Sequence, residues 1–201
     1  MKQILAVLFD LDGVLVDSLD AWYYAFCDAL KHFGKEKISF EEFKKGFGSP
    51  AEEDIKTLFT NVSITELTAY YNLAFKTRCE MVKLNSETIP TLEKIKQMKI
   101  KTAIITNSTW PIALTFLENF KIKKYFDKVV TMEDVQNRKP APDMVLKACA
   151  MLGVKPNNAV VVGDTINDMR AGKEAGCTTI GYKTNGDHRI ENLNDVINYI
   201  K

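Results

Sequence analysis

Histidine is scarce in this sequence, and cysteine follows no recognisable pattern. His32 and His188 are the only two histidines, which argues against a histidine-rich zinc site and against a catalytic triad built on histidine. The four cysteines are widely spaced and include no C-x-x-C pair, so we expect reduced thiols. Any metal that the protein binds should therefore be a hard cation held by oxygen atoms.

Long apolar runs and an excess of one charge are also missing. No apolar run approaches the roughly 20 residues that a membrane-spanning helix needs. The net charge of +1 gives no reason to expect nucleic acid or an anionic membrane as a partner. With 46% hydrophobic and 26% charged residues, the 201-residue chain should be a soluble globular protein with one core domain and a modest insert.

Five short runs rich in apolar and β-branched residues predict strands, and helical spacing of apolar residues fills the intervals between most of them. The predicted strands are residues 4–9, 101–106, 128–131, 159–162 and 178–182. The predicted helices are residues 89–98, 111–120, 143–152 and 168–174, and Gly153 and Gly176 stand where C-caps are expected. This alternation predicts an α/β fold with a Rossmann-like parallel sheet, whose functional groups collect at the carboxyl ends of the strands.

One long interval breaks the alternation. Residues 17–86 contain no convincing strand, and apolar residues recur there at helical spacing. Capping-box patterns begin at Ser39, Ser49 and Ser63, so we expect about four helices. The predicted domains are therefore a core of residues 1–16 and 87–201 and a small helical insert of residues 17–86.

The first predicted strand ends in two carboxylates two residues apart. Side chains alternate along a strand, so Asp10 and Asp12 can point the same way, and Gly13 then allows a tight turn. Two such carboxylates can divide the chemistry, one as nucleophile and the other as acid and base. Taken alone, Asp12-Gly13 is equally compatible with a simple turn.

Three further motifs follow in order. Thr106-Asn107-Ser108 ends the second strand, Lys139 precedes a proline-punctuated helix start, and Asp164 ends another buried strand with Asp168 four residues on. Alternative interpretations remain for single residues: an Asx turn at Asp164, a first-turn helix carboxylate at Asp168, and a helix cap at Ser108.

With all four motifs in order, the chain resembles the haloacid dehalogenase superfamily from residue 4 to about residue 182, and in particular its phosphoglycolate phosphatase-like branch. The resemblance implies that Asp10 attacks phosphorus and that Asp12 serves as acid and base. It implies that Thr106, the backbone N–H of Asn107, and Lys139 bind the phosphoryl oxygens. The helical insert would be a cap that closes over the active site. Within it we select Phe47, Gly48 and Ser49 as candidate selectivity residues, and a plain turn between two helices is the alternative interpretation of this loop.

The same resemblance implies a Mg²⁺ ion held by the side chains of Asp10 and Asp164 and the backbone carbonyl of Asp12, with Asp168 in support. The charge pattern agrees, because clustered carboxylates repel a phosphate unless a cation neutralises them. We expect a phosphatase for a small phosphorylated metabolite. A phosphomutase of the β-phosphoglucomutase type and a non-catalytic binding protein are the alternatives. Because the nucleophile strand begins almost at residue 1, we expect no cleaved signal peptide and a cytoplasmic location.

Overall fold

Parallel strands dominate the protein, whose computed structural model describes residues 3–47 and 58–200. The strands are β1 (Ala6–Phe9), β2 (Val16–Asp17), β3 (Lys83–Leu84), β4 (Lys101–Ile105), β5 (Lys128–Val130), β6 (Ala159–Gly163), β7 (Thr178–Tyr182) and β8 (His188–Ile190). Six of them form one sheet in the order β5-β4-β1-β6-β7-β8, and all its neighbouring strands run parallel. The predicted α/β fold with a Rossmann-like parallel sheet is confirmed.

Strand β1 lies at the centre of this sheet, between β4 and β6. Its residue Phe9 pairs with Ile104 of β4 on one side and with Val162 of β6 on the other. All four residues of β1 are fully buried, as the unbroken apolar run requires. Because the three strands are in this register, the residues that follow them emerge together at one edge of the sheet.

Helices connect the strands of the large sheet. They are α4 (Thr88–Gln97), α5 (Trp110–Asn119), α6 (Asp143–Leu152) and α7 (Ile166–Ala175), numbered after α1 (Leu19–His32), α2 (Phe40–Gly46) and α3 (Ile64–Lys76) of the preceding segment. Helices α6 and α7 end at Gly153 and Gly176, whose positive φ angles of 66° and 84° make them left-handed C-caps. Both caps were predicted, and both predictions are confirmed.

The sixth strand of the sheet, β8, was missed by the sequence analysis. It has three residues, and only Ile190 among them is buried. It pairs along one side only, with β7, so it forms an edge of the sheet. An edge strand this short has neither an apolar run nor an alternation that a sequence pattern could detect.

The chain divides into two compact units, Met1–Val16 with Leu84–Lys201, and Asp17–Lys83. The described part of the second unit consists mainly of α1, α2 and α3 around an aromatic core that includes Phe26, Phe59 and Tyr71. The capping boxes at Ser39 and Ser63 are present, with each serine oxygen accepting a bond from the N–H of the glutamate three residues on. The third predicted box, which begins at Ser49, lies outside the described residues. In the described ranges, no helix is long and apolar enough to cross a membrane.

Candidate active site at the carboxyl edge of the sheet

The buried ammonium group of Lys139 links two carboxylates at the carboxyl edge of the sheet. Its Nζ atom lies 2.8 Å from Oδ1 of Asp10 and 2.6 Å from Oδ1 of Asp168. Its third contact is the carbonyl oxygen of Ile105, the last residue of β4, at 2.9 Å. Lys139 is only 2% exposed, so these oxygen atoms replace the water that normally surrounds a lysine. Three residues that the sequence analysis selected from separate motifs are thus in direct contact.

The main chain of Lys139 is held in place by the side chain of Asn107. The Asn107 amide donates to the carbonyl oxygen of Lys139 at 3.0 Å, and its own oxygen accepts from the Lys139 N–H at 3.1 Å. Only the backbone N–H of Asn107 was predicted to have a role. The amide of Asn107 was the feature that could have indicated a role for the side chain. An amide has both a donor and an acceptor, so it can bond the C=O and the N–H of one residue.

Asp12 contacts Ser108. The Ser108 hydroxyl donates to Oδ2 of Asp12 at 2.7 Å. The N-cap of α5 is Thr109, so Ser108 binds a candidate catalytic carboxylate and does not cap the helix. The turn after Asp12 is tight, with Gly13 at φ +83° and its N–H donating to the carbonyl of Val16 at 2.8 Å.

Asp168 combines a helix-capping role with a place in the site. Its Oδ2 accepts from the N–H and the hydroxyl of Thr165 at 3.1 and 2.6 Å, which completes the capping box of α7. Its Oδ1 is the atom bound by Lys139. The interpretation of Asp168 as a first-turn helix carboxylate is therefore correct but incomplete.

Asp164 follows β6 and approaches both Asp10 and Asp168. One carboxylate oxygen from each of these three residues lies within 4.8 Å of the others. Oδ1 of Asp164 is buried and has no hydrogen-bond partner among the described residues. Glycine at position 13 is required by this packing, because a Cβ atom there would overlap the Asp164 carboxylate. An unpaired buried carboxylate oxygen is costly unless a cation binds it.

Burial and charge repulsion dominate the electrostatics of the site. Burial raises the pKa of Asp10 to about 7; Asp168 and Asp12 push it in the same direction, and Lys139 opposes them. Burial, with help from Asp10 and Asp168, raises the pKa of Asp164 well above its ordinary value. Burial opposes the charge of Lys139, but the carboxylates of Asp10 and Asp168 outweigh it and raise the pKa of the lysine. The site thus holds two buried acids and the partly buried Asp164 beside one cation, and it favours an additional positive charge.

Thr106 follows β4 and is almost fully buried. Its N–H donates to the carbonyl of Val130, and its hydroxyl oxygen accepts from the N–H of Ser108 at 3.0 Å. A hydroxyl that accepts one bond still has its own O–H to donate.

Of the seven residues proposed from sequence, the structure connects Asp10, Lys139, Asp168 and Asn107 by direct hydrogen bonds and brings Asp164 alongside them. Asp12 and Thr106 each form a hydrogen bond with Ser108, whose role the sequence left open.

Comparison with known proteins agrees with this architecture. The family model described as haloacid dehalogenase-like hydrolase matches residues 7–182. A protein named putative pyrophosphatase PpaX from Clostridium perfringens (strain 13 / Type A) is 33% identical over 181 residues, which is 90% of this chain and 85% of that protein. A phosphoglycolate phosphatase from Aquifex aeolicus (strain VF5) is 31% identical over 177 residues, covering 86% of this chain and 82% of that one.

Solved structures show the same fold. The crystal structure of a putative phosphoglycolate phosphatase from Lactobacillus plantarum superposes with a TM-score of 0.88 at 20% identity, covering 98% of this chain and 99% of that one. The chain therefore belongs to the haloacid dehalogenase-like hydrolases. Within them it falls in the phosphoglycolate phosphatase-like branch, as the sequence motifs predicted, and it is a hydrolase of the phosphatase type.

Proposed function

We propose that this protein is a Mg²⁺-dependent phosphatase that hydrolyses a small phosphorylated metabolite through an aspartyl-phosphate on Asp10. The observation that carries the proposal is the buried group of Lys139, Asp10 and Asp168, with Asp164 beside it. Three carboxylates around one ammonium form a site for a cation, and a cation together with Lys139 forms a site for a phosphoryl group. The names of the relatives support phosphate chemistry of this kind.

The residues of the site fit a divalent metal of the hard type. Asp10, Asp164 and Asp168 offer oxygen atoms within 4.8 Å of one another, and the unpaired Oδ1 of Asp164 supplies a ready ligand. We assign the ion to the side chains of Asp10 and Asp164 and the backbone carbonyl of Asp12, with Asp168 as a supporting acceptor. When bound, Mg²⁺ would neutralise both the acids and the phosphoryl oxygens.

Asp10 is the proposed nucleophile. It follows a fully buried strand in the middle of the sheet, and its N–H donates to the carbonyl of Val162 at 2.9 Å, so its backbone is fixed. The contact with Lys139 favours the ionised carboxylate, which is the form that attacks phosphorus. The bond from Asp10 to phosphorus forms as the bond from phosphorus to the leaving oxygen breaks.

Asp12 is the proposed acid and base. Protonated, it would give its proton to the leaving alcohol, and the resulting carboxylate would then take a proton from the water that hydrolyses the intermediate. The hydroxyl of Ser108 donates a 2.7 Å hydrogen bond to the carboxyl group of Asp12 and so orients it. Phosphoryl oxygens would be bound by the Thr106 hydroxyl, the Asn107 N–H and Lys139, which together supply neutral and charged donors.

We further propose that residues 1–16 and 87–201 form the catalytic core and that the helical segment of residues 17–86 is a cap that selects the substrate. Support comes from the separate aromatic core of the helical unit, which lets it act as an independent body. Residue Phe47 is described and packs against Phe43, with ring centroids 5.7 Å apart. Gly48 and Ser49, the other predicted selectivity residues, lie outside the described residues.

The proposal is tested by turnover of p-nitrophenyl phosphate. It is measured for the wild-type protein with Mg²⁺ and with chelator, and for the Asp10→Asn variant. We expect activity only in the wild-type protein with Mg²⁺. A panel of phosphometabolites then identifies the substrate, and it should include pyrophosphate and phosphoglycolate because of the relatives' names. Isomerised sugar phosphate without phosphate release would identify a mutase instead. Activity that survives complete chelation would contradict the proposed mechanism.

A further inference from the structure

Lysine is concentrated in two short segments that lead into β4 and β5. Residues 94–101 and 121–128 together contain eight lysines and a single carboxylate, Asp127. The chain totals are 27 basic and 26 acidic residues, so the rest of the chain carries 19 and 25 and is net negative by 6. The overall net charge of +1 conceals a strongly basic region.

These two segments line one cavity. Its walls include Lys96, Lys99, Lys101 and Lys124, together with Tyr125 and Asp127. The cavity volume is about 290 Å³, near the lower end of the roughly 300–1,000 Å³ typical of small-ligand pockets. A cavity of this size suits a small ligand better than a polymer chain.

Tyr125 forms a fixed aromatic wall of the cavity. Its hydroxyl donates to Glu93 at 3.1 Å, and the ammonium groups of Lys96 and Lys124 lie 5.7 and 5.1 Å from the centre of its ring. The Lys96 ammonium also donates to the Lys124 carbonyl at 3.4 Å. Two like charges are thus held on one ring, and an anion between them would relieve their repulsion.

Among the described residues, no carboxylate forms a salt bridge with these lysines. Oδ2 of Asp127 accepts from the backbone N–H of Thr102 at 2.9 Å. Lys101 donates to the carbonyl of Leu152 at 2.5 Å, but an ammonium has three donors and retains others. Lys96 lies in the last turn of α4, where a positive charge is favourable because of the helix dipole. Lys101 and Lys124 lie outside that helix, so the dipole does not explain their position.

The cavity lies at the amino end of β4, away from the candidate active site. Lys101 begins this strand, and Thr106 follows its last residue. Five residues of extended chain separate the two ends by roughly 17 Å. The basic cavity and the carboxylate site are therefore separate features on opposite edges of the sheet.

We propose that this cavity binds a small anion with two or more phosphoryl groups. Four lysines line this one small cavity, and several lysines can bind several phosphoryl oxygens at once, which a single phosphate would not require. Tripolyphosphate is a suitable probe, and its binding is measured by calorimetry at near-physiological ionic strength with chelator present. Without divalent cations, the acids of the candidate active site repel the probe, so the measurement reports on the lysines.

We expect the wild-type protein and the Asp10→Asn variant to bind tripolyphosphate equally. The Lys96→Gln/Lys124→Gln double variant should bind at least about tenfold more weakly. The matched control is Lys155→Gln/Lys173→Gln, which removes two exposed lysines elsewhere and should bind as the wild type does. Thermal unfolding of each variant verifies that it folds, as expected for substitutions of exposed side chains.

Three results would overturn the proposal. The first is an absence of binding by the wild-type protein, and the second is an equal loss in both double variants, which would indicate diffuse attraction to positive charge. The third is lysine-dependent binding of a 20-nucleotide single strand without binding of tripolyphosphate, which would identify the region as a nucleic-acid surface. None of these outcomes depends on the proposed phosphatase activity.

Discussion

The side chain of Asn107 exchanges two hydrogen bonds with the main chain of Lys139. Ile105, two residues earlier, accepts a bond from the other end of the same lysine at 2.9 Å. The segment after β4 therefore fixes both the backbone and the ammonium group of Lys139. Because Lys139 in turn contacts Asp10, Asn107 positions the proposed nucleophile through the lysine.

Replacing Asn107 with alanine should lower kcat more than it lowers stability. Loss of both bonds lets Lys139 shift, and small displacements of catalytic groups reduce rates steeply, so we expect a kcat roughly 10- to 100-fold lower. The stability cost should be about 1 kcal/mol. Turnover of p-nitrophenyl phosphate and thermal unfolding measure the two effects.

Two further variants make this comparison specific. Asn158→Ala removes a comparable side-chain bond, 2.8 Å to the carbonyl of Gln3, at the amino end of the sheet, and should leave kcat unchanged. Asn107→Asp keeps an acceptor for the Lys139 N–H but places a charged oxygen against the Lys139 carbonyl, so it should lose at least as much activity as Asn107→Ala. If Asn107→Ala and Asn158→Ala have the same kcat, Asn107 plays only a structural role.

Replacing Asp10 with asparagine should abolish turnover without destabilising the metal-free protein. The amide has nearly the shape of the carboxylate but cannot attack phosphorus, and its neutrality removes one charge from an overcrowded group of acids. Asp12→Asn should instead slow hydrolysis of the aspartyl-phosphate. After this variant reacts with a phosphate ester that has a good leaving group, its mass should increase by one phosphoryl group. Substantial turnover by a folded Asp10→Asn protein would refute the assignment of the nucleophile.

Magnesium should stabilise the protein through Asp164. At 100 times its dissociation constant a ligand adds about 2.7 kcal/mol to the free energy of unfolding, or roughly 5–10 °C in Tm for a chain of this size. Asp164→Asn should lose most of this shift. Ca²⁺ should support little turnover even where it binds, because it prefers longer bonds and more ligands. A Tm that does not change when Mg²⁺ is added would contradict the proposed metal site.

The core of the fold was predictable because the large sheet is parallel and buried. Strands such as β1 and β6 are continuous apolar runs, and such runs stand out in a sequence. Since parallel strands end together, the motifs that follow them had to meet at one edge. The register of Phe9 with Ile104 and Val162 shows how this happens.

The contacts within the site were less predictable. An amide at position 107 indicates a donor and an acceptor, but the sequence does not identify Lys139 as the partner of Asn107. It does not identify Asp12 as the partner of Ser108 either, because both pairings depend on the path of loops between elements. The basic cavity was hidden for another reason. Composition averages charge over the whole chain, whereas the fold brings residues 94–101 and 121–128 together.

The link between β7 and β8 should make stability depend on pH through Asp187. Its carboxylate accepts from the N–H and hydroxyl of Thr179 at 3.0 and 2.9 Å, and the backbone bond holds the pKa of Asp187 below its ordinary value. Its contribution is therefore complete above the unfolded pKa near 4 and disappears as pH falls through the lower, folded value.

Asp187→Asn should accordingly cost roughly 0.5–1 kcal/mol at pH 7, a modest value because the group is exposed to solvent. The difference from the wild-type protein should shrink towards pH 3. Denaturant unfolding at several pH values measures it, with Glu174→Gln as an exposed control in the same unit. A difference that grows on acidification would contradict the sign of the assigned pKa shift.

Phe47 should influence which substrates are hydrolysed. The structure also gives it a packing role beside Phe43, so the two effects have to be separated. Phe43 is 9% exposed and belongs to the same aromatic core, which makes Phe43→Ala the matched control. We expect Phe43→Ala to cost about 3 kcal/mol and to leave the substrate ranking unchanged.

Phe47→Ala, from a half-buried position, should cost less stability but change the ranking across the phosphometabolite panel. Hydrolysis of p-nitrophenyl phosphate should change little, because phosphate binding is assigned to the residues at the carboxyl edge of the sheet. Thermal unfolding is measured for both variants. If the two variants alter the ranking equally, the effect arises from loosened packing; if neither does, substrate selection depends on other residues.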